Sequence, residues 1–160
     1  MKKIILLVVV SICFWSLSYA QEWQFVAESE LGEVWYVKTK SMTKIASNVV
    51  RAWVKCEIPD KYSAEIEEVE KQLEHDKGNP FLYYREANAY VARDKEPTKI
   101  IYLFEFNCKE RMSRDLQFTS YRYDGKVLFN GNTPKTWSYV VPGSVAEGIL
   151  NWICSRAKGN

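Results

Sequence analysis

Ser41 and Lys44 have the spacing of a catalytic pair. They form S-x-x-K, in which penicillin-recognising enzymes activate a serine with a lysine one helical turn further along the chain. Those enzymes need two further motifs, but the sequence has no S-D-N, and Trp137 stands where K-T-G requires a glycine. Because a serine and a lysine three residues apart often occur by chance, we expect no catalytic role for Ser41.

Other catalytic arrangements would depend on His75, the single histidine of the chain. It precedes Asp76 on the outer face of a predicted helix, so a Ser-His-Asp or Cys-His site would lie on the surface. Gly143-Ser144 and Gly148 do not have the spacing of a G-x-S-x-G nucleophile elbow, and no glycine-rich phosphate loop follows a predicted strand. The sequence predicts no catalytic residues and no cofactor, which leaves a small exported hydrolase as the least favoured alternative.

The cysteines do not have the spacing of a metal site. None of Cys13, Cys56, Cys108 and Cys154 belongs to a C-x-x-C pair, and one histidine is too few to complete a zinc site with them. We therefore predict no metal ligands. The cysteines are better interpreted through the compartment in which the protein works.

Residues 1–20 predict a secretory signal peptide. Two lysines precede an almost wholly apolar stretch at 4–12, and Ser18 and Ala20 are the small residues that a signal peptidase reads. The apolar stretch is shorter than the about 20 residues that span a bilayer. An uncleaved anchor and lipid attachment at Cys13 are less favoured alternatives.

Export decides how the remaining cysteines are interpreted. Residues 21–160 retain Cys56, Cys108 and Cys154, and in an oxidising space an odd number predicts one disulfide and one free thiol. We predict a mature chain that begins at Gln21, resides in the periplasm or at the cell surface, and has no transmembrane segment.

The mature chain carries no net charge. Two of the 22 basic residues of the full sequence, Lys2 and Lys3, lie in the predicted signal peptide, which leaves as many lysines and arginines as aspartates and glutamates. This balance gives no reason to expect nucleic-acid binding. A local basic cluster is offset by acids and predicts a polar rim, with an anionic-ligand patch as the alternative; its members are Lys109, Arg111, Arg114, Arg122 and Lys126.

Alternation with a period of two residues predicts strands with one apolar face. In 48–56 one face carries Val50, Ala52, Val54 and Cys56, and the other carries Val49, Arg51, Trp53 and Lys55. In the strand that starts at Lys99 one face carries Tyr102, Phe104, Phe106 and Cys108, and the other carries Ile101, Leu103, Glu105 and Asn107. Further strands are predicted at 22–27, 33–37, 112–123, 126–129 and 137–141. Asp124-Gly125 predicts a type I′ turn between two of them.

Residues 60–94 predict a helical hairpin inserted between strands. The first helix would be capped by Asp60 and bury Tyr62, Ile66, Val69 and Leu73; the second would begin at Asn79-Pro80 and bury Tyr83, Ala87, Tyr90 and Val91. The outer face of the first helix is strongly acidic. It predicts a solvated surface, with a site for a basic partner as the alternative.

The final helix is predicted from a capping box at Ser144 and Glu147. Its apolar stripe should lie on the apolar face of the sheet, the face to which Cys108 also points. Cys108–Cys154 is therefore the favoured disulfide, and Cys56 is the alternative partner for Cys154. The predicted fold class is α+β: an antiparallel sheet of about six strands with a disulfide-linked C-terminal helix on one face.

Several segments follow one another in an order typical of one family. They are Glu33-Val-Trp-Tyr-Val, Val49-Val-Arg-Ala-Trp-Val, Phe104-Glu-Phe-Asn-Cys108, Tyr121-Arg-Tyr-Asp-Gly-Lys126, Trp137, and Pro142-Gly-Ser before a helix that ends at Cys154. Over 22–57 and 97–156 the chain resembles the surface-adhesin protein E family of Gram-negative bacteria. The resemblance implies an antiparallel sheet crossed by a disulfide-bonded C-terminal helix, and a dimeric, surface-exposed lipoprotein that binds host proteins such as laminin and vitronectin.

The expected function is that of a non-enzymatic binding module of the cell envelope. A periplasmic structural or inhibitor protein is the alternative. Because the final helix covers one face of the sheet, the opposite face should carry the interface for a protein partner or a second copy of the chain. The residues expected there are Arg51, Trp53, Ile101 and Leu103, unless the helical insertion covers them.

Overall fold

The computed structural model describes residues 22–157; the predicted signal peptide, Cys13 and Gln21 lie outside the described residues. Strands and helices alternate in four blocks along the chain. They are β1 (Trp23–Glu28), β2 (Val34–Lys38), β3 (Thr43–Ala46), β4 (Val49–Glu57), α1 (Ser63–His75), α2 (Pro80–Arg93), β5 (Lys99–Asn107), β6 (Met112–Tyr121), β7 (Val127–Asn132), β8 (Ser138–Tyr139) and α3 (Val145–Ala157). Within these residues no helix has the length and apolar character needed to cross a membrane.

The strands form one antiparallel sheet in the order β1-β2-β4-β5-β6-β7. Two short strands complete it, β3 beside β4 and β8 beside β6. The six-stranded sheet is thus confirmed. β3 was not expected from the sequence, because all four of its residues are exposed and no apolar face marks it as a strand.

The alternation in β4 separates two faces of the sheet as expected. Val50, Ala52, Val54 and Cys56 are buried, and the residues between them are half-buried. The buried side is the inner face, on which α3 packs with Ile149, Leu150 and Ile153. Val37 and Phe106 join the same core, so the α+β class is confirmed.

α3 begins with a capping arrangement that differs in detail from the predicted box. The backbone N–H of Glu147 donates to the hydroxyl of Ser144, as expected. The Glu147 carboxylate, however, accepts from the backbone N–H of Gly143 at 2.7 Å and from Arg111. The helix is therefore tied both to the turn before it and to the loop between β5 and β6.

The Cys108–Cys154 disulfide is confirmed, with 5.6 Å between the two Cα atoms. It joins the end of β5 to the last turns of α3. Cys56 keeps a free, buried thiol on the inner face. Burial, with smaller contributions from Glu33 and Glu57, raises the pKa of this thiol to about 12, so it stays protonated and unreactive at neutral pH.

The insertion helices α1 and α2 pack mainly on each other. Ile66 and Val69 of α1 are buried, as predicted, but α2 buries Leu82 and Ala89. The predicted α2 stripe of Tyr83, Ala87, Tyr90 and Val91 is wrong: all four are exposed. The hydroxyls of Tyr83 and Tyr90 bond to the Lys77 carbonyl and to Glu70 at the surface, which suits a half-polar side chain better than burial.

The ends of the insertion are fixed by side-chain contacts. Asn79 caps α2 by accepting from the backbone N–H of Phe81, as predicted. Asp60 is not the N-cap of α1, which starts at Ser63 with no side-chain cap at Tyr62. The Asp60 carboxylate accepts from the backbone N–H of Tyr62 in the turn before the helix. It also pairs with Arg93 at 2.5 Å, where the two ends of the insertion meet.

The hairpin between β6 and β7 forms as predicted but with another turn. Gly125 has a φ of +81°, whereas Asp124 does not have a positive φ. A type I′ turn needs positive φ at both central residues. The Asp124 carboxylate accepts from the backbone N–H of Lys126 and from Arg122, and this bonding replaces the expected geometry.

Replacement of residues 60–94 by a short turn is expected to leave the sheet folded. The buried residues of α1 and α2 do not belong to the core beneath α3, and the flanking strands are already hydrogen-bonded from Ile58 N–H to the Thr98 carbonyl. The deletion removes only half-exposed contacts between the insertion and the sheet, such as the ion pair of Asp94 with Arg122. Each such contact contributes about 0–1 kcal/mol to the free energy of unfolding.

Tryptophan fluorescence during urea unfolding measures this result directly. All five tryptophans of residues 22–157 lie outside the insertion. The control is the full chain carrying Val69→Asp, which should melt α1 and α2 in place and leave the fluorescence transition cooperative. A broad, non-cooperative transition in the deletion variant would place the insertion within the core of the sheet.

Candidate binding face

The outer face of the sheet, opposite α3, is built from rows of side chains that cross β4, β5 and β6. On one face of a strand the side chains repeat every two residues, about 6.6 Å, and neighbouring strands lie about 4.8 Å apart. The register defines three adjoining rows: Arg51, Glu105 and Arg114; Trp53, Leu103 and Gln117; Lys55, Ile101 and Thr119.

The residues expected from the sequence lie together on this face. Trp53 is directly opposite Leu103 in the central row, while Arg51 and Ile101 occupy the rows on either side. All four are half-buried. The helices pack elsewhere, α3 on the inner face and α1 with α2 on each other, so the partial burial comes from side chains within the sheet.

The row of Arg51, Glu105 and Arg114 is an ion-pair network around a buried carboxylate. Glu105 is only 1% exposed. One carboxylate oxygen accepts from Nε and Nη2 of Arg51 at 3.0 and 2.5 Å, and the other accepts from Nε of Arg114 at 2.7 Å. Charge-assisted bonds of this kind are stronger than neutral ones. Both arginines are thereby held in place at the surface.

The electrostatics of Glu105 favour its charged form. Burial alone would raise the pKa of the carboxyl, but hydrogen bonds from Arg51 and Arg114, together with their charges, outweigh burial. The pKa of Glu105 therefore lies below its usual range. The row holds two cations and one anion at neutral pH.

Lys55 differs from Arg51 because its ammonium group is in contact with a carboxylate and two aromatic rings of the sheet. Its ammonium lies 4.0 Å from the ring centre of Tyr36, 5.5 Å from that of Trp23, and 2.6 Å from Glu57. Its side chain is 15% exposed, against 43% for Arg51. Arg51 is therefore the cation of β4 that is more available to a ligand.

Glu105 and Arg114 were not recognised as members of the site, and a β-bulge explains why. The register of β5 with β6 shifts between Leu103 and Phe104. A regular register continued from Leu103 and Gln117 would place Glu105 opposite Asp115. The extra residue brings Arg114 there instead. The available signal in the sequence was Glu105 itself, a charged residue between Phe104 and Phe106.

The other sequence candidates have structural roles. The Ser41 hydroxyl donates to the Lys38 carbonyl and accepts from the backbone N–H of Trp53, while Lys44 lies on β3 and not one helical turn away. His75 is an exposed residue at the end of α1. Among residues 22–157, no group of three or more His, Cys, Asp or Glu side chains could hold a metal ion.

The basic cluster predicted from the sequence is dispersed over separate ion pairs. Arg111 pairs with Glu147, Arg122 and Lys126 with Asp124, and Lys109 with Glu110. Arg114 alone joins the outer face. These residues therefore do not form one continuous basic patch.

A cavity of about 410 Å³ lies between β3 and the end of α3. Met42 and Val50 supply apolar surface, and Lys44 and Arg156 supply positive charge. The described lining includes no acid, histidine or cysteine, so it offers contacts for a ligand and no group for proton transfer at neutral pH.

A family model described as surface-adhesin protein E matches residues 23–155. The chain belongs to this family. The match runs through the helical insertion, which the resemblance drawn from the sequence had placed outside it. Membership in the surface-adhesin protein E family assigns the chain to a class of surface adhesins and names no binding partner.

Solved structures of Haemophilus influenzae protein E are similar to this adhesin-family chain. Crystal form II has a TM-score of 0.49 and 9% identity, covering 85% of this chain and 89% of that one. A second structure has a TM-score of 0.47 and 8% identity, covering 88% and 89%. Protein E from non-typeable Haemophilus influenzae has a TM-score of 0.46 and 8% identity, covering 87% and 79%. A search of curated proteins found no match.

Proposed function

We propose that this chain is a non-enzymatic, exported binding module of the cell envelope that holds a protein partner on the outer face of its sheet. The observation that carries the proposal is the central row of Trp53 and Leu103, which are half-buried and flanked by Arg51, on the face that α3 leaves open. Membership in an adhesin family supports it.

The composition of the outer face favours a protein as the partner. Trp53 provides a large amphipathic surface, and Ile101 and Leu103 extend it across β5. Tryptophan and arginine are enriched among the residues that contribute most to protein interfaces. Apolar residues at the centre of a patch with charged residues around it are typical of such interfaces.

Export is proposed from three features that agree. The first 20 residues have the pattern of a signal peptide, the family is one of surface adhesins, and the disulfide between Cys108 and Cys154 suits an oxidising compartment. The cell surface and the periplasm both satisfy these conditions.

Site-specific photo-crosslinking in intact cells is expected to trap the partner from the outer face. A benzophenone side chain at Thr119, in the row beside Leu103, should give one discrete adduct after irradiation. The same group at Tyr139, which is exposed on β8, should not give that adduct. Mass spectrometry of the adduct distinguishes a different protein from a second copy of the chain.

The variant Trp53→Ala with Leu103→Glu is expected to lose the adduct and stay folded. Because both side chains are only half-buried, we expect the free energy of unfolding to fall by about 2 kcal/mol. Leu31→Glu is the matched control, since Leu31 is 83% exposed in the turn before β2. A loss of several kcal/mol would show that the face is core, and an adduct unchanged by the double variant would place the partner elsewhere.

A further inference from the structure

We infer that the partner presents an acidic segment to the outer face and that its carboxylates bind the guanidinium groups of Arg51 and Arg114. The inference rests on the proposed function and adds the chemistry of the partner. It concerns the row in which two arginines share one buried carboxylate.

The row has an excess of positive charge that reaches the surface. Glu105 is buried and supplies a single negative charge, whereas Arg51 and Arg114 are 43% and 29% exposed. Arg51 donates to Glu105 through Nε and Nη2 only. A guanidinium has five N–H donors, so its remaining edge is available for a second carboxylate.

Arg114 is held for binding in the same way. Its Nε donates to Glu105, its Nη2 lies 2.6 Å from the same carboxylate oxygen, and its guanidinium carbon lies 4.5 Å from the ring centre of Trp137. Its Nη1 reaches the Lys135 carbonyl only at the limiting distance of 3.4 Å. Side chains fixed before binding lose less conformational entropy when a partner docks.

The wider charge of the outer face favours the same occupant. By register its basic residues are Lys38, Arg51, Lys55, Lys99 and Arg114, and its acidic residues are Glu28, Glu57 and Glu105. Glu22 pairs with Lys38 beside this face, and the basic residues remain in excess. A surface with this balance attracts an acidic partner during diffusional encounter and disfavours a basic one. Charge complementarity therefore selects the acidic segment.

The apolar row beside the arginines favours a protein segment over a purely anionic polymer. In β4, Arg51 and Trp53 follow one another at about 6.6 Å, the distance between residues i and i+2 of an extended chain. A segment in which acidic and apolar side chains alternate would place an acid beside the row of Arg51 and Arg114 and an apolar side chain beside Trp53 and Leu103. A sulfated polysaccharide could match only the charges.

A synthetic peptide tests this pattern on the exported chain. The probe is acetyl-Glu-Ser-Leu-Ser-Glu-amide, and its matched control has glutamine in place of both glutamates. Amide chemical-shift changes in a heteronuclear NMR titration should be saturable and centred on Arg51, Leu103 and Arg114. The glutamine peptide should bind at least about tenfold more weakly, since it lacks charge-assisted bonds.

Arg51→Ala should weaken binding of the glutamate peptide about tenfold, as expected for loss of one charged contact. Arg85→Ala is the matched control, because Arg85 is a half-exposed arginine of α2 that also faces a carboxylate, that of Glu65. If Arg51→Ala does not fold, the salt dependence of the wild-type titration replaces it. Affinity should fall as ionic strength rises to the physiological range.

Each result supports or overturns the inference. The inference would be overturned by equal binding of the two peptides, by chemical-shift changes confined to other faces, or by an affinity that does not depend on salt concentration. Heparin binding to Arg51 and Arg114 without peptide binding would overturn it in favour of a sulfated polysaccharide. If the Thr119 photo-adduct persists while the peptide fails, the acidic segment is wrong and the proposed function stands. If the adduct is absent, the proposed function itself fails.

Discussion

Replacement of Cys108 and Cys154 by alanine is expected to lower the free energy of unfolding by about 4 kcal/mol. The two cysteines are 46 residues apart in sequence, and the disulfide restricts the unfolded chain by closing a loop of that length. A single domain has only about 5–15 kcal/mol of stability in all. The variant should therefore unfold at a much lower urea concentration, with α3 the first element to separate from the sheet.

Urea denaturation followed by tryptophan fluorescence provides the measurement, because Trp152 lies on α3 itself. Reduction of the unmodified protein should reproduce the same shift without a substitution. Cys56→Ala is the control, since it removes the buried free thiol and keeps the disulfide; its cost should be only about 1 kcal/mol, that of a small cavity. A midpoint unchanged by reduction would show that packing alone holds α3 in place.

Glu105→Gln is expected to lower the free energy of unfolding by about 3 kcal/mol, near the lower end for breaking a buried ion pair. The glutamine amide keeps the shape of the side chain but removes the charge. Arg51 and Arg114 would then face each other without an anion between them. Their partial exposure limits the cost, because solvent screens some of the repulsion.

The same substitution should change how stability depends on pH. The folded state lowers the pKa of Glu105 below its unfolded value, so its contribution is full above the ordinary pKa of a glutamate, near 4.3. It is lost as the pH falls through the lower, folded pKa. The difference in free energy of unfolding between the wild type and Glu105→Gln should thus be constant near neutral pH and become smaller in acid.

Glu57→Gln is the matched control for this experiment. Glu57 lies on the same face and pairs with a lysine, but its side chain is 45% exposed. Its loss should cost at most about 1 kcal/mol. Equal effects of the two substitutions at neutral pH would mean that the network around Glu105 stabilises no more than an ordinary surface pair.

The faces of β4 and β5 could be predicted because a period of two residues is encoded directly in the sequence. Trp53 and Leu103 were correctly placed on one side, and Val54 and Phe106 on the other. In a sheet with one covered face, odd or even position along a strand decides on which face a side chain lies. The capping residues Ser144 and Asn79 were recognisable for a similar reason, because each acts on neighbours within three residues.

Features set by distant contacts were not predictable. The bulge that brings Arg114 beside Glu105 depends on how two complete strands fit together, and no local residue marks it. The buried side of α2 was assigned to tyrosines because they are large and partly apolar. Leu82 and Ala89 face α1 instead, since close helix packing favours side chains without a hydroxyl to satisfy. Both the bulge and the buried side of α2 depend on how an element packs against a neighbour that is distant in the sequence.

The insertion also determines the order in which the sheet can assemble. β4 and β5 are the central pair, yet residues 58–98 separate them, whereas β1 with β2, β5 with β6 and β6 with β7 are joined by short turns. Pairing across a long connection is slow because the chain must search for it. Once α1 and α2 pack together and Asp60 meets Arg93, the ends of β4 and β5 are already neighbours. We therefore expect the helical pair to shorten the search for the central strand pair, a kinetic role separate from the stability of the finished sheet.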